Sequence, residues 1–348
     1  MRELRIDDRI INDDSDCFVI AEVGHNHQGE LETAKQLFLE AKRAGVDAVK
    51  LQKRNNKKLY TKDMYSSIYD NKNSFGTTYG GHREALEFGL DEYQELQSYA
   101  HDLDLIFFAT PFDFHSVDFL TDLDCPLFKV ASGDIKSTPL LEYIAKKGKP
   151  MILSTGGSTL EDIERAYDTI YPVNDQLAIL QCTAAYPCEP NQMNLRVIEK
   201  LRLKFPDTVI GLSDHQNGIS MSLVAYTLGA RIIEKHFTIN HAWKGTDHAF
   251  SLEPIGLKKM VRDLQWARIA MGDGIKKTIE DEIKPLFKMG KKLVAARSLK
   301  KGHQLTKGDI AIKSPNDGLP PYELNKVLGK KLKRGVSIDE NIELSDLV

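Results

Sequence analysis

The chain has 348 residues, of which 41% are hydrophobic and 28% are charged. This balance is typical of a globular protein, excludes a mainly disordered chain, and at this length favours one large domain plus a small one. The net charge of −3 argues against nucleic-acid binding, which needs a basic surface. No run approaches the roughly 20 apolar residues of a membrane span, and the first residues alternate charges where a signal peptide would be apolar. We therefore expect a cytoplasmic protein with no nucleic-acid or membrane partner.

Short apolar runs rich in strand-forming residues recur along the chain, and each is followed by a stretch with helical periodicity, the first near residues 30–44. The predicted strands are 18–23, 48–52, 105–110, 127–131, 151–154, 178–182, 209–213 and 232–236. Alternating strands and helices indicate parallel βαβ units, and eight units match an α/β fold of the (β/α)8 TIM-barrel type. An open doubly wound sheet is the alternative, but G-H-N-H-Q-G follows the first strand instead of G-x-G-x-x-G.

Two segments depart from this alternation. Residues 59–89 lack regular periodicity, which on a barrel is typical of a long loop over the active-site mouth. After Gly272 the composition changes to short runs punctuated by Gly and Pro, which indicates a compact β-rich module. We therefore predict a barrel domain over residues 1–282 and a second domain over 283–348. The second is small for an independent core, so we expect it to dock on another surface.

Polar side chains follow the predicted strands, at the end of a barrel where active sites lie. Lys50 and Lys129 would supply positive charge to this mouth. Hydroxyl donors would come from Thr110, Ser132, Ser154 and Ser213. Such a ring suits an anionic, phosphate-bearing substrate. The alternative is a structural ion network in which the lysines pair with Glu22, Asp134 and Glu234.

Two histidines end neighbouring predicted strands, so their imidazoles could meet although they are far apart in the chain. They are His215 and His236. A two-histidine site with open positions suits Mn2+, Zn2+ or Fe2+. Simple hydrogen bonding is the commoner role of a histidine at a strand end and stays open as an alternative. His25 and His27 are weaker candidates, because H-N-H on a loop can equally hold the turn.

Eight ordered blocks of sequence resemble the sialic acid synthase family across nearly the whole chain. The blocks are E-V-G-H-N-H-Q-G from Glu22, V-K-L-Q from Val49, F-K-V-A-S-G-D from Phe128, L-S-T-G from Leu153, Q-C-T-A-A-Y-P from Gln181, G-L-S-D-H from Gly211, E-K-H-F-T from Glu234 and K-G-T-D-H-A-F-S-L-E-P from Lys244. The tail resembles the antifreeze-like (SAF) domain of the same family. The resemblance implies a barrel enzyme that condenses phosphoenolpyruvate with an N-acetylmannosamine-type sugar. It also implies a domain-swapped homodimer, in which the tail covers the partner's active site.

The resemblance implies a role for each polar residue at the mouth. Mn2+ or another divalent metal would be bound by His215 and His236. Phosphoenolpyruvate would be held by Lys50, Thr110, Lys129, Ser132, Ser154 and Ser213. The sugar would be contacted by Gln52, Tyr186, Glu234 and Asp247. Catalysis would involve Glu22, His215, His236 and Asp247.

Three positions depart from the bacterial members of that family. Asp134 and Ala184 stand where those members often have Glu and Asn, and Ser314 stands where they place an arginine over the sugar's N-acetyl group. The segment S-F-G-T-T-Y-G-G-H from Ser74 resembles instead the animal-type enzyme, which uses the 6-phosphorylated sugar. We expect the free sugar as substrate, with the 6-phosphate and a legionaminic-type precursor as alternatives.

A basic rim near the mouth bears on that choice. Its candidate members are Lys53, Arg54, Lys57, Lys58, Lys62, His82 and Arg83. These side chains could hold a sugar phosphate, or they could form a solvated surface, which is the commoner role of such a run. A different class of enzyme also stays open, namely a Schiff-base aldolase with Lys129 as its nucleophile.

Overall fold

The computed structural model describes residues 2–348 and divides the chain into two compact units, one ending at Gly272 and the other spanning Asp273–Val348. The strands of the first unit are β1 (Glu3–Ile6), β2 (Arg9–Asn12), β3 (Phe18–Gly24), β4 (Ala48–Lys53), β5 (Ile106–Pro111), β6 (Phe128–Val130), β7 (Met151–Ser154), β8 (Leu177–Cys182), β9 (Val209–Asp214) and β10 (Ile232–His236). Strands β3 to β10 are parallel and close into a barrel, with β10 pairing with both β9 and β3. The predicted eight-stranded barrel is confirmed, and the open sheet is excluded.

Helices follow the barrel strands and pack on the outside of the ring. Those of the first unit are α1 (Leu31–Ala44), α2 (Asn56–Leu59), α3 (Lys62–Ser66), α4 (Tyr79–Glu84), α5 (Leu90–Asp102), α6 (Phe114–Asp122), α7 (Thr138–Ala145), α8 (Leu160–Ile170), α9 (Val197–Lys204), α10 (Ser220–Thr227) and α11 (Pro254–Met271). In α1 the buried residues Ala34, Leu37, Phe38 and Ala41 recur every three or four positions, so one face meets the barrel. This helix ends at Gly45, whose φ of 89° is the left-handed conformation that favours glycine.

A hairpin closes the end of the barrel where the strands begin. Strands β1 and β2 pair antiparallel, and their buried residues Leu4, Ile6 and Ile11 join the apolar cluster inside the barrel. Other members of that cluster are Phe18, Ile20, Ala48, Phe108, Leu127, Ile152, Ala178, Leu180, Val209 and Ile232. The hairpin was not predicted, because charged residues dominate the first nine positions and hide three buried apolar side chains.

The long segment after β4 is more ordered than its sequence predicts. Residues 59–89 include α3 and α4, and an isolated bridge joins Ile68 to Thr78. These helices have only five and six residues. Helices of one to two turns are too short to show a 3.6-residue period, so the pattern was read as irregular.

The second unit is a small β-rich body, as predicted, although its helices were not. Its elements are α12 (Glu280–Met289), β11 (Lys292–Ala295), β12 (Ile310–Lys313) and α13 (Leu324–Val327), with β11 and β12 antiparallel. Its core consists of Leu293, Ala295, Leu299, Leu305, Val327, Leu332, Val336, Ile342 and Leu347. The domain boundary after residue 282 stays a prediction; the structural division falls after Gly272. Among residues 2–348, no helix has both the length and the apolar character needed to cross a bilayer.

Candidate active site

A cavity of about 520 Å³ opens at the C-terminal ends of the barrel strands. All the residues to which the family resemblance assigns a role line this cavity: Glu22, Lys50, Gln52, Thr110, Lys129, Ser132, Ser154, Tyr186, Ser213, His215, Glu234, His236 and Asp247. His27 and Asp134 do not line it. Their convergence follows from strand geometry, since alternate residues of a strand face the same side. Strands β3 and β4 pair with each other, and Glu22 lies beside Lys50 in that pairing. Each of these charged residues comes two positions after an inward apolar residue, Ile20 in β3 and Ala48 in β4.

The two cavity lysines are almost fully buried, with Lys50 3% and Lys129 2% exposed. The ammonium of Lys50 lies 2.6 Å from Oε2 of Glu22 and 3.8 Å from Oε2 of Glu234. That of Lys129 lies 3.7 Å from Oε1 of Glu234. The ion network considered as an alternative is therefore present in part, whereas Asp134 has no ion pair among residues 2–348. The two lysines and the two glutamates therefore offset each other's charge on this part of the cavity wall.

The two glutamates are held in different protonation ranges. Burial raises the pKa of Glu22, which only Lys50 and a hydrogen bond from Gln52 Nε2 at 2.8 Å oppose. Burial would also raise the pKa of Glu234, but Lys129 and Lys50 together hold it below its usual value. Glu22 is thus the one of the two carboxyls whose pKa is raised, which suits it to exchange a proton.

Hydroxyl groups complete the floor of the cavity and bind the lysines. Lys50 Nζ donates to Thr110 Oγ1 at 2.9 Å, and Lys129 Nζ donates to Ser154 Oγ at 2.6 Å. Ser213 Oγ donates to Glu234 Oε1 at 3.1 Å. Each buried ammonium therefore has a neutral hydrogen-bond partner in addition to a carboxylate.

Ser132 is held by the backbone of a neighbouring loop. Gly156 N–H donates to Ser132 Oγ at 2.9 Å. A Cβ on Gly156 would lie 2.8 Å from that oxygen and 2.9 Å from the side chain of Ala184. Real Cβ atoms do not approach so closely, so only glycine lets this loop bring its N–H to the serine.

The two predicted metal ligands lie side by side, with imidazole centroids 5.3 Å apart. The Thr183 carbonyl accepts from His215 Nδ1 at 2.9 Å, which leaves Nε2 with the free lone pair. Nδ1 of His236 is buried without a hydrogen-bond partner, and burial lowers the pKa of this ring, which favours its unprotonated form. Imidazole nitrogens with free lone pairs are what a divalent cation requires, so these residues fit one.

The rest of the coordination sphere would have to be open. Within residues 2–348, no group of three or more His, Cys, Asp or Glu side chains could hold a metal ion. The nearest carboxylate to the pair, Asp247 Oδ2, lies 3.9 Å from His236 Nδ1. Tyr186 packs against His215 with ring centroids 4.3 Å apart and the ring planes tilted by 41°, and it is 56% exposed, so it borders the solvent side.

Two arginines that were considered only as possible rim residues also line the cavity, Arg54 and Arg83. Arg54 is 8% exposed, lies 3.7 Å above the Phe112 ring and donates to Gln52 Oε1 at 2.7 Å. Arg83 donates to Tyr79 Oη from Nε at 3.1 Å and from Nη2 at 3.0 Å. Strand alternation could have found Arg54, two positions after Gln52; no local signal marks Arg83.

His25 lies between these arginines, with its Nε2 3.1 Å from Arg54 Nη1 and its Nδ1 3.4 Å from Arg83 Nη1. Burial and the two cations hold the pKa of His25 well below its usual value. The other rim candidates are not at the cavity: Lys57, Lys58 and Lys62 are exposed. Lys53 turns toward Glu87 at 3.3 Å.

Cys182 has no role in the sequence prediction, and Ser314 stands where bacterial members of the family place an arginine. Cys182, which follows the inward Leu180 by two positions, places Sγ 3.6 Å from Ser132 Oγ and 3.9 Å from His215 Nδ1. Strand spacing could have found it. Ser314 belongs to the second unit, where its hydroxyl accepts a hydrogen bond from Lys291 Nζ at 2.6 Å.

The fold and the site together place this protein in a class of barrel enzymes. Members of this class have a TIM barrel with buried lysines, hydroxyls and two imidazoles at its mouth, followed by a small β-rich domain. Comparison with family models identifies the particular family. Residues 37–276 match the NeuB family, and residues 292–348 match the SAF domain. The chain belongs to the NeuB family, the sialic acid synthases, as its sequence motifs predicted.

Known relatives resemble this chain over most of its length. It is 40% identical to N-acetylneuraminate-9-phosphate synthase of Homo sapiens, over 94% of this chain and 91% of that protein. It is 34% identical to N,N'-diacetyllegionaminic acid synthase of Legionella pneumophila, over 92% of each. A crystal structure of N-acetylneuraminic acid synthetase from Leptospira borgpetersenii matches 82% of this chain and 95% of its own, at 31% identity and a TM-score of 0.71. The chain is therefore an enzyme whose substrates are phosphoenolpyruvate and a sugar.

Proposed function

We propose that this enzyme condenses phosphoenolpyruvate with the open-chain form of N-acetylmannosamine to make N-acetylneuraminate. The observation that carries the proposal is the pair of buried cavity lysines, each bonded to a hydroxyl that can turn to a ligand. Phosphoenolpyruvate brings a carboxylate and a phosphate, and charge-assisted hydrogen bonds from ammonium groups suit both. Thr110, Ser132, Ser154 and Ser213 supply the remaining donors.

The reaction forms one carbon–carbon bond and one carbon–oxygen bond, from water to C2, and it breaks the carbon–oxygen bond between C2 and the phosphate. C3 of phosphoenolpyruvate attacks the aldehyde carbon of the sugar, and water adds to C2, which has become electron-poor. The tetrahedral product then loses phosphate by cleavage of its C2–O bond. Lys50 and Lys129 orient the enol phosphate beside the aldehyde. Because the two reactants are already held together, the reaction avoids most of the entropic cost of bringing them together from solution. Glu22, whose pKa is raised by burial, is suited to take the proton of the attacking water, with Asp247 as the alternative group.

We also propose that His215 and His236 hold Mn2+ or another divalent cation. Their free lone pairs and the unpartnered, buried Nδ1 of His236 support this. When bound, such a cation supplies Lewis-acid polarisation of a carbonyl oxygen. The Thr183 carbonyl orients His215, and Tyr186 covers that ring from the solvent side.

The test is phosphate release from phosphoenolpyruvate with Mn2+, against a panel of amino sugars and a control without sugar. Phosphoenolpyruvate carrying heavy oxygen at its bridging position should deliver that label to inorganic phosphate. Label found in the sugar acid would mean that water attacks phosphorus, which contradicts the proposal. Borohydride treatment with pyruvate should trap nothing on Lys129; a trapped adduct would favour the Schiff-base aldolase.

One observation favours a second candidate, in which the sugar is N-acetylmannosamine 6-phosphate. Neither Arg54 nor Arg83 forms an ion pair with a carboxylate among residues 2–348, although both line the cavity. A 6-phosphate would add roughly −1.5 to −2 of charge, which requires such partners when buried. The human relative is named as the enzyme that makes the 9-phosphate product.

The contacts of the two arginines are also explained without a phosphate. Their N–H groups already donate to Gln52 and Tyr79, and Arg54 stacks on Phe112. We therefore keep the free sugar as the main proposal. A diacetamido sugar of the legionaminic type is a further candidate because of the Legionella relative.

Specificity constants for the free sugar and its 6-phosphate decide between the two. The main proposal predicts that the free sugar is used at least as well, and that Arg83→Ala changes both constants alike. A preference for the phosphate of about a hundredfold, roughly 2.7 kcal/mol, that disappears in Arg83→Ala would establish the second candidate. Lys57→Ala is the matched control, since this exposed lysine follows the same strand and does not reach the cavity.

A homodimer is the last part of the proposal. Helix α12 has no buried residue within its own unit, yet Ile283, Leu286, Phe287 and Met289 are apolar and 44% to 66% exposed. Such a surface is typical of a segment that packs against a partner. Sedimentation should give a dimer. A chain ending near Ile283 should keep its barrel and its metal affinity but lose most activity; an active truncated monomer would contradict the swapped arrangement.

A further inference from the structure

A buried ion pair lies in the wall of the barrel next to both histidines. Lys235 Nζ and Asp214 Oδ2 are 2.8 Å apart, and both side chains have no exposure to solvent. Neither residue lines the cavity, whereas their chain neighbours Ser213, His215, Glu234 and His236 do. Asp214 instead accepts a hydrogen bond from Ser222 Oγ on α10 at 3.3 Å, so the pair faces the outer helices.

The pair also holds the backbone beyond the end of β9. Asp214 Oδ1 accepts from the backbone N–H of Gln216 at 2.8 Å, and Lys235 Nζ donates to the carbonyl of Gln216. Residues 214 and 216 flank His215, and residue 235 precedes His236. A single ammonium therefore ties the chain on both sides of one histidine to the residue before the other.

The strand ladder does not supply this restraint. The pairing of β9 with β10 ends at Asp214 and Lys235, and β9 itself ends at Asp214. His215 therefore lies one residue past the last ladder pair. Its own backbone carbonyl accepts from Cys188 N–H at 3.0 Å, which fixes it to the β8 side but not to β10.

We propose that Asp214 and Lys235 are positioning residues that set the spacing of His215 and His236, and thereby the affinity of that pair for a divalent cation. The inference rests on the two-histidine site of the proposed function. Stability alone does not account for the pair, because apolar residues of similar volume in such a place are often neutral or stabilising. An apolar pair would, however, leave both backbone groups of Gln216 unbound.

The test uses the full-length protein and the double variant Asp214→Asn/Lys235→Met, which removes both charges with little change in volume. Two quantities are measured: the Kd for Mn2+ by calorimetry, and the distance between the two imidazoles in metal-free crystals. We expect a Kd raised about tenfold or more and a centroid distance changed from 5.3 Å, with an unfolding temperature close to that of the wild type. The single variant Lys235→Arg keeps a cationic donor at this position, so it should bind Mn2+ with most of the wild-type affinity.

The matched control is Asp118→Asn/Lys147→Met. This pair has the same residue types and the same 2.8 Å separation, but it joins Asp118 on α6 to Lys147, just after α7, away from the cavity. It should leave the Kd unchanged. The proposal is overturned if both doubles bind Mn2+ as the wild type does, or if Asp214→Asn/Lys235→Met does not fold, since the pair would then be structural.

Failure of the metal assignment is distinguishable from failure of this inference. A wild-type chain that binds no divalent cation would refute the proposed metal site. In that case the crystal structures alone test the positioning role. A changed distance between the two imidazoles in Asp214→Asn/Lys235→Met, with an unchanged distance in the control, supports that role. Rings that stay 5.3 Å apart overturn it.

Discussion

Two layers of side chains fill the inside of the barrel, and they differ although they stand on the same strands. The lower layer includes Ile20, Ala48, Phe108, Leu127, Ile152 and Ile232, which are apolar and closed off by the β1–β2 hairpin. Two residues further along each strand, the upper layer has Glu22, Lys50, Thr110, Lys129, Ser154 and Glu234. The site therefore begins where the inward side chains change from apolar to polar. The strands themselves continue across this boundary.

The upper layer is buried almost as deeply as the lower one, so exposure does not separate them. What separates them is how each group is compensated. The apolar layer gains from leaving water, whereas buried charges are tolerated only because each lysine meets a carboxylate and a hydroxyl. We therefore expect changes in the lower layer to alter stability and changes in the upper layer to alter chemistry.

The largest expected effect is at the two histidines that line the cavity beyond the upper layer. His215→Ala and His236→Ala should each fold normally, lose the bound divalent cation and lose activity by about a thousandfold, roughly 4 kcal/mol. Metal content by mass spectrometry and steady-state turnover measure this. His101→Ala, on an exposed part of α5, is the control. Full metal content in either variant would contradict the expectation that changes to the polar cavity residues alter chemistry.

A paired substitution on β7 tests the division directly. Ile152→Ala in the lower layer should lower the free energy of unfolding by about 2–4 kcal/mol with little effect on the KM for phosphoenolpyruvate. Ser154→Ala, two residues later, should leave stability within about 1 kcal/mol and raise that KM. Denaturant unfolding and initial rates provide both numbers. The comparison fails if the two variants exchange these effects.

Gly156 sharpens the picture of the upper layer, because a backbone group rather than a side chain acts there. Gly156→Ala should push Ser132 and Ala184 apart and raise the KM for phosphoenolpyruvate about tenfold. Gly133→Ala is the matched control, since a Cβ at this cavity residue meets nothing within 4 Å. If both variants raise the KM equally, crowding of the cavity causes the increase, and the hydrogen bond from Gly156 N–H to Ser132 Oγ does not.

A dependence of stability on pH is expected from Asp134, which lies in the same turn as Ser132. Burial raises the pKa of Asp134 to about 6, so the folded state prefers the protonated carboxyl. Its contribution to stability is then full below pH 3.8 and is lost as the pH rises through about 6. Relative to Asp134→Asn, the wild type should lose on the order of 1–3 kcal/mol between pH 4 and pH 7. Unfolding curves at both pH values check the sign.

Much of the fold could be predicted because strand periodicity is local. The eight predicted strands agree with the structure to within one residue at each end. The same alternation also gives the inward face, including Lys50, Thr110 and Ser154. The hairpin and the short helices α2 to α4 were not found. A helix of four to six residues spans less than two turns, too few to show a 3.6-residue period, and charged residues mask the apolar positions of the hairpin.

The sequence by itself determined the barrel, the family and the set of side chains at its mouth, since alternation along each strand fixes which residues face inward. Only the tertiary structure decided how those side chains are used. It paired Lys50 with Glu22, brought Arg83 of α4 to His25 of the first loop, and tied Lys235 to the backbone around His215. These contacts join residues 19 to 58 positions apart. A two-residue period holds no information about partners on another strand or loop.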